Sequence, residues 1–312
     1  MDNRKSKFGK RIIVWAIIAL LAVIAFICFK IDTGKLGVTE YVYESAEIPE
    51  GADGFRIVQL SDLHNAKFGD GNARLIEAVA GAKPDIVVFT GDIVDSNRTD
   101  VDTAVDLAGK LAELCPVYYV TGNHEYWIGK EAYAELVSGL EKSGCVVLDN
   151  AQAEVGAGDD SFTLTGLNDM SLHDETLGML INAQADLSGL SLKDLYDGVS
   201  DEKADVNAQA NGSDGVFNVV LAHEPQYIKY YNRGGADLVL AGHAHGGQLA
   251  LPVVGAIYVP DQGLFPKITA GEYFYGGTEM IVSRGIGNSG VPVRTFNRPE
   301  IVVVELKKTT AK

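Results

Sequence analysis

The 312-residue sequence predicts an α/β domain over about 53–308, preceded by one apolar segment long enough to cross a membrane. Short β-branched runs alternate with amphipathic segments between residues 55 and 148, which is typical of parallel strands joined by right-handed helical crossovers. From residue 154 onwards, strand-like runs follow one another with few helices, which indicates a second layer of sheet. Residues 12–29 contain 18 apolar residues and no charge.

The first predicted element is a transmembrane helix over 12–29, which as a helix would extend about 27 Å across a bilayer core of roughly 30 Å. Five basic residues lie in the tail 1–11, so the positive-inside rule places this tail in the cytoplasm and the chain after Lys30 outside. A cleaved signal peptide is the alternative. It is disfavoured because the apolar stretch is long and no small residues directly precede Cys28. We therefore expect a single-pass cell-membrane protein with an extracytoplasmic domain.

The distribution of charge argues against nucleic acid as a partner. The net charge is −16, and residues 1–30 carry +5, so the remainder of the chain is near −21. An acidic globule of this kind repels the phosphate backbone of nucleic acids. It also resists unspecific docking on anionic lipid.

The first half of the domain is predicted to alternate strand and helix. Residues 30–52 form a juxtamembrane segment, in which the weak alternation of 35–45 favours an edge strand. The elements that follow are strands at 55–60, 85–90, 117–121 and 145–148, and helices at 72–82, 102–114 and 130–142. Cys115 and Cys145 stand before neighbouring strands, so they could form a disulfide outside the cell, although two buried thiols are the favoured interpretation.

The second half is predicted to be rich in strands. These strands lie at 162–166, 217–222, 237–241, 248–251, 279–283 and 300–306, with one short helix at 225–231. Residues 184–215 are acidic and rich in Ala, Gly, Ser and Asn, which is typical of an excursion that leaves the sheet.

Side chains that bind metals follow five of the predicted strands at the point where each strand ends. They are Asp62, His64, Asp92, Asn123, His124, Glu125, His223, His243 and His245. Because the carboxyl ends of parallel strands meet at one edge of a sheet, we expect these side chains to converge. Mixed Asp, Asn and His ligands suit Mn, Fe or Zn, and more than four ligands imply two divalent ions.

This series of motifs resembles the calcineurin-like metallophosphoesterases. The matching motifs are Asp62-x-His64, Gly91-Asp92, Gly122-Asn123-His124-Glu125, His223 and Gly242-His243-x-His245. The tail from Gly246-Gly247 to Val291-Pro-Val-Arg294 is similar to the membrane-associated bacterial branch, which includes phosphodiesterases and UDP-diacylglucosamine pyrophosphatases. The resemblance implies a four-layer α-β-β-α sandwich. It also implies hydrolysis of a phosphoester substrate, a phosphodiester or a pyrophosphate in a lipid-linked or cell-envelope precursor.

The resemblance also implies a role for each residue. The first ion would be held by Asp62, His64, Asp92 and His245, and the second by Asp92, Asn123, His223 and His243, so that Asp92 bridges. His124 would be catalytic, stabilising charge or protonating the leaving oxygen, and Asp95 would orient it. Asn123, His124 and Arg98 would contact substrate. Protein phosphatases of the family continue with Arg-Gly after the aspartate, whereas Ser96 and Asn97 follow here, which argues against phosphoprotein hydrolysis.

Two other functions stay open. One is a phosphomonoesterase, and the other is a non-catalytic, membrane-tethered adaptor that binds a partner through 184–215. An adaptor would be expected to lack ligands, and none is missing from this sequence.

Glu125 is expected to support its loop, Arg284 and Arg294 to be structural, and His173 to be solvated.

Overall fold

The computed structural model describes residues 36–169, 216–247, 250–251, 255–259, 262–289, 294 and 296–310, together with residues 15–16 and 19–20. Most of the predicted anchor 12–29, the whole of 184–215 and His173 lie outside the described residues. Within the described parts of the chain, no helix is long and apolar enough to cross a membrane.

The first sheet combines the early strands with the last strand of the chain, in the order β1-β16-β2-β3-β4-β5. Its strands are β1 (Gly37–Ser45), β2 (Arg56–Leu60), β3 (Ile86–Thr90), β4 (Val117–Val120), β5 (Cys145–Val147) and β16 (Glu300–Lys308). Strands β2 to β5 are parallel. Strand β16 runs antiparallel to β2 and parallel to β1, so β1 begins at the edge of the sheet where β2 ends.

Four helices connect the strands of the first sheet. They are α1 (Ala73–Gly81), α2 (Val101–Ala112), α3 (Asn123–Trp127) and α4 (Lys130–Lys142). Helix α2 begins after Asp100, whose carboxylate accepts hydrogen bonds from the main-chain N–H and the hydroxyl of Thr103. Such a cap satisfies one of the free N–H groups of the first turn and stabilises the helix by about 1 kcal/mol.

The second sheet has the order β14-β15-β9-β8-β7-β6. Its strands are β6 (Ala151–Ala157), β7 (Asp160–Gly166), β8 (Asn218–Leu221), β9 (Leu238–Ala241), β14 (Gly271–Tyr275) and β15 (Thr278–Val282). Two small hairpins lie between β9 and β14, formed by β10 (Ala250–Leu251) with β11 (Gly255–Ala256) and by β12 (Tyr258–Val259) with β13 (Gly263–Leu264). Helix α5 (Ile228–Arg233) joins β8 to β9 after a 3₁₀ turn.

Three apolar cores separate four layers. In β3, Val87 and Phe89 pack against the helices, whereas Ile86 and Val88 pack against the second sheet. A third core lies under α5 on the outer face of the second sheet. Strands buried on both faces read as continuous apolar runs, which is why β3 has no polar alternation. The predicted mixed α/β sandwich is therefore confirmed.

Some elements agree with the sequence-based expectation and others differ from it. The edge strand expected at 35–45 is confirmed as β1, which lies at the edge of the first sheet and pairs with β16 over its whole length. Strands β6 and β14 and the hairpin β12–β13 were not expected. Cys115 and Cys145 are free thiols, in agreement with the favoured interpretation.

Candidate metal centre

The ends of strands from both sheets meet at one edge of the sandwich. The Gln59 side chain is fully buried there and donates to the Thr90 hydroxyl in the first sheet (2.8 Å) and to the Ala241 carbonyl in the second (2.9 Å). The main-chain N–H of His243 donates to both carboxylate oxygens of Asp62, at 3.1 and 3.2 Å. These bonds fix the loops of the two sheets against each other, and the predicted ligands lie on those loops.

One group of side chains consists of Asp62, His64, Asp92 and His245. All four are buried, and one ligand atom from each lies within 4.8 Å of the others. His64 Nε2 is 3.1 Å from His245 Nε2, and His245 Nε2 is 3.4 Å from an oxygen of Asp62. A carboxylate–imidazole cluster of this size suits a divalent cation.

A second group is formed around Asn123. Its Oδ1 lies 3.1 Å from His223 Nε2 and 3.1 Å from His243 Nδ1, and the two imidazole nitrogens are 3.3 Å apart. Asp92 Oδ2 is 3.3 Å from His223 Nε2 in this group and 3.5 Å from His64 Nε2 in the first. Asp92 therefore stands between the two groups.

The orientation of His223 shows that a cation fits the second group. His223 Nδ1 lies 2.8 Å from the Thr90 carbonyl, which can only accept, so Nδ1 carries a proton. Burial opposes a charge on this ring, but Asp92 outweighs it and raises the pKa of His223 well above its usual value, so a positive charge is favoured at this position. When a metal cation supplies that charge in place of a proton, the neutral ring directs the lone pair of Nε2 towards the oxygens of Asp92 and Asn123. Acceptors that converge in this way repel one another unless a cation lies among them, and a carbonyl behind the ligating ring is the usual support of a metal-binding histidine.

The electrostatics of the first group lead to the same result. Burial lowers the pKa of His245 to about 3 and also lowers the pKa of His64, so both rings are neutral with free lone pairs. Burial alone would raise the pKa of Asp92, but the neighbouring His223, whose own pKa is raised well above its usual value, outweighs burial and keeps this carboxyl ionised. Two buried carboxylates beside neutral rings are costly without a counter-ion, and a divalent cation supplies one.

Five of the seven predicted ligands have a left-handed backbone conformation. The φ angles are 53° at Asp62, 46° at His64, 52° at Asp92, 65° at His243 and 49° at His245. Non-glycine residues are uncommon in this region, where each costs of order 1–3 kcal/mol and persists only when its surroundings fix it. The strand-end loops are thus held in conformations that aim these side chains inwards.

Glu125 supports these loops, as expected. It is fully buried, and its carboxylate accepts main-chain N–H bonds from Gly122 (2.6 Å), Asp92 (2.9 Å) and Val94 (3.2 Å). Burial and the neighbouring Asp92 raise its pKa, and the N–H groups oppose that shift. One side chain thereby joins the loop after β3 to the start of α3.

His124 is held with a defined tautomer. Its Nδ1 accepts a 3.1 Å bond from the main-chain N–H of Ser96, so Nε2 carries the proton in the neutral ring and lies 3.1 Å from the Ser289 hydroxyl. The bond at Nδ1 thus comes from Ser96 rather than from Asp95, which was expected to orient the ring. Asp95 instead accepts from the Asn97 N–H (2.7 Å) and lies 3.5 Å from Arg98, which is largely exposed.

Comparison with known proteins agrees with this arrangement. A model of the calcineurin-like phosphoesterase family matches residues 55–247. The chain belongs to this family. It is 32% identical over 276 residues to the uncharacterized metallophosphoesterase YkuE of Bacillus subtilis, covering 87% of this chain and 85% of YkuE. The predicted family and the predicted class of enzyme, a metal-dependent phosphoric ester hydrolase, are confirmed.

Two further relatives of this metallophosphoesterase carry descriptive names. Phosphodiesterase YaeI of Escherichia coli is 28% identical, with 82% of this chain and 84% of YaeI covered. A transmembrane protein with a metallophosphoesterase domain from Danio rerio is also 28% identical, with 84% of this chain covered but only 55% of that protein.

Arg284 and Arg294, the two other arginines near the site of this metallophosphoesterase, both bond to groups of the protein itself. Arg294 is fully buried, donates to the Arg284 carbonyl at 2.7 Å and to the Asn288 side chain at 2.8 Å, and burial lowers its pKa to about 10. Arg284 forms a 2.8 Å ion pair with Glu300. Both arginines therefore shape the loop beside the centre, as expected.

Two nearby side chains were not singled out from the sequence. Ser289 contacts His124, and Asp169 is a buried carboxyl whose main-chain N–H donates to the Thr121 hydroxyl at 2.9 Å. Burial and Glu224 raise the pKa of Asp169 to about 7. Neither residue lies in a motif, and only their position against the strand-end loops brings them to the site.

Proposed function

We propose that this metallophosphoesterase hydrolyses a phosphodiester or a pyrophosphate with two divalent ions, Mn, Fe or Zn. The observation that carries the proposal is the place of Asp92, whose Oδ2 lies 3.5 Å from His64 Nε2 in one group and 3.3 Å from His223 Nε2 in the other. A carboxylate shared in this way is what a pair of ions about 3.5–4 Å apart requires.

The ligands divide between two positions. One ion would be held by Asp62, His64, Asp92 and His245, and the other by Asp92, Asn123, His223 and His243. Two bound cations supply a Lewis acid and lower the pKa of a bound water to about 7.

The remaining roles fall to residues around the rim. His124 would contact a phosphoryl oxygen or donate its Nε2 proton to the leaving oxygen, because the Ser96 N–H fixes its other nitrogen as an acceptor. Arg98 is exposed and would reach a substrate phosphate, while Asp95 would hold the 95–98 turn that carries it. Asn123 would contact substrate from its place between the two imidazoles.

The substrate class and the location are also part of the proposal. We infer that residues 12–29 anchor the chain in the cell membrane with the domain outside the cytoplasm, and that the substrate is a lipid-linked or cell-envelope precursor. Similarity to phosphodiesterase YaeI and to relatives named transmembrane proteins supports this reading. The residues Ser96 and Asn97 after Asp95 speak against a phosphoprotein substrate.

Hydrolysis of bis-p-nitrophenyl phosphate in the presence of Mn tests the proposal. We expect turnover by the full chain, and a loss of about 100-fold or more in Asp92→Asn, because changes even behind the ligands cost 10–100-fold. The matched control is Asp106→Asn on α2, whose carboxylate is half exposed and which should keep full activity. Equal rates for Asp92→Asn and the unaltered chain would remove the hydrolase proposal.

The same assay separates the alternatives. A phosphomonoesterase would have a higher kcat/KM for p-nitrophenyl phosphate than for the diester. An adaptor would lose its function on deletion of 184–215, whereas the proposed enzyme would keep diester hydrolysis at a changed rate.

A further inference from the structure

We propose that the mouth of the metal centre faces the lipid bilayer, and that the hairpin β12–β13 lies in the membrane interface beside it. The enzyme would then take a phosphoester directly from the bilayer surface. This inference rests on the proposed function in one respect, the anchoring of residues 12–29 in the membrane.

The topology places the start of β1, the strand that follows the predicted anchor in the sequence, at the edge of the sandwich that contains the metal centre. Gly37, the first residue of β1, pairs with Glu300, and the Glu300 N–H donates to the Gly285 carbonyl at 3.1 Å. Two residues after Gly285, the N–H of Gly287 donates to the carbonyl of the predicted ligand Asp62 at 2.7 Å. The chain therefore enters the domain a few main-chain hydrogen bonds from the metal centre.

The linker is too short to let this edge move far from the membrane. Seven residues, 30–36, separate the predicted anchor from β1. Fully extended, they span at most about 25 Å. Strand β1 is about 30 Å long. The edge of the sheet at which β1 ends is therefore about 30 Å further from the predicted anchor than the edge at which it begins. Of the two edges, the catalytic one is held near the bilayer.

The hairpin beside the centre turns an apolar face outwards. Tyr258 and Leu264 pair directly and are 54% and 69% exposed, while Val259 on the other face is buried. The next residue, Phe265, is 68% exposed. An exposed apolar cluster at the rim of a site marks an interaction surface.

Close packing ties this hairpin to a metal ligand. Gly247 belongs to the turn that contains His245, and a Cβ on Gly247 would lie 2.1 Å from the Cβ of Ala256 and 3.7 Å from the Tyr258 carbonyl. The hairpin thus lies directly against the loop of the first ligand group. Whatever covers its apolar face also lies beside the mouth of the site.

Two exposed phenylalanines at this edge have unusual backbone conformations. Phe265 has φ of 56° and Phe296 has φ of 53°, and Phe296 is 55% exposed. Bulky residues are genuine outliers in this region. A 2.8 Å bond from the Phe265 N–H to the Ile257 carbonyl holds this backbone, and the side chain is largely exposed.

Positive charges accompany the apolar side chains. Arg298 lines a cavity of about 390 Å³ next to Gly37, in which Arg284 is already paired with Glu300, and Lys267 is exposed two residues after Phe265. Cations at this depth would meet lipid phosphates. Because the remainder of the chain is strongly acidic, we commit to a zwitterionic bilayer surface as the occupant, held by apolar insertion.

Depth-dependent fluorescence quenching tests the orientation without reference to activity. The full chain, with its three cysteines replaced by alanine, is placed in phosphatidylcholine vesicles with an environment-sensitive label at Phe265→Cys. The control carries the label at Leu114→Cys, which is 47% exposed and precedes β4 at the opposite edge of the sheet. Quenchers on the lipid chains should reduce emission at 265 by about twofold or more and leave 114 unchanged. Equal quenching at both positions, or none at 265, overturns the proposal.

A second measurement covers the case in which labelling disturbs the fold. In the variant Leu264→Ser/Phe265→Asn, asparagine tolerates the left-handed backbone. We expect unchanged hydrolysis of soluble bis-p-nitrophenyl phosphate, and a roughly tenfold slower hydrolysis of hexadecyl p-nitrophenyl phosphate in phosphatidylcholine vesicles. Leu114→Ser should change neither rate. An unchanged vesicle rate in the double variant contradicts the inference. If the unaltered chain hydrolyses neither ester, the proposed function fails, and quenching alone decides the orientation.

Discussion

Glu125 fixes the loops around the metal centre from behind. Its carboxylate gathers three main-chain N–H groups, one of them from Asp92, the residue between the two ligand groups. Since a buried N–H without an acceptor costs about 1–3 kcal/mol, this single side chain helps to hold the left-handed backbone of Asp92 in place.

We predict that Glu125→Gln lowers the free energy of unfolding by about 1–3 kcal/mol, because the amide NH₂ cannot accept from the N–H that it faces. Metal affinity should fall about 10–100-fold as the loop shifts. Urea unfolding and metal titration measure the two effects. Glu135→Gln, on the exposed face of α4, serves as the control, and equal behaviour of the two variants would contradict the assigned role.

Asp237 gives a prediction about pH. It is a mostly buried carboxyl at the start of β9 that accepts a 2.7 Å bond from the Asn218 N–H, and burial raises its pKa to about 6. A carboxyl with a raised pKa binds its proton more tightly in the folded state. Its stabilising contribution is therefore complete below pH 4 and is lost as the pH rises through 6.

The variant Asp237→Asn should remove this dependence and still accept from the Asn218 N–H through its amide oxygen. Relative to the variant, the unaltered chain should lose up to about 3 kcal/mol of stability between pH 4 and pH 7. Urea unfolding at several pH values measures the difference. Parallel curves for the two proteins would show that Asp237 does not titrate in this way.

At the scale of elements, strand ends and tight turns decide the geometry of the site. Strands β2 to β4 could be predicted because their apolar runs are buried on both faces, and helices α1, α2 and α4 because each has one apolar face, whereas the short helix α3 was missed. Strand β6 was missed, because the inward positions of its alternating sequence are mostly alanine, which has a low strand propensity, and pairing with β7 decides its conformation. The left-handed conformations of the ligands also have no sequence signal beyond the neighbouring glycines.

Gly242 is one such glycine, because a Cβ there would lie 1.9 Å from the Ser61 hydroxyl and 2.6 Å from an oxygen of Asp62. We predict that Gly242→Ala pushes β9 away from β2, lowers the free energy of unfolding by at least about 1–3 kcal/mol and reduces bound metal. Gly156→Ala is the matched control, since a Cβ there meets nothing within 4 Å. Full metal content in Gly242→Ala would contradict the geometry described.

At the scale of the whole molecule, two sheets contribute the predicted ligands to one cluster of side chains. Asp62, His64, Asp92 and Asn123 follow strands of the first sheet, and the three histidines 223, 243 and 245 follow strands of the second. Convergence of the ligands was predicted from the strand ends. The second layer of sheet was predicted from the strand-rich pattern after residue 154, whereas the α-β-β-α order of the layers followed only from the family resemblance.

The central claim is that these seven side chains hold two ions, and the metal content of the purified full chain tests it most directly. Elemental analysis after removal of loose metal should give about two equivalents of Mn, Fe or Zn per chain. It should give close to none for Asp92→Asn, which loses the shared carboxylate, and an undiminished content for Asp106→Asn. A chain without bound metal, or an Asp92→Asn variant with the same content as the unaltered chain, would contradict the account.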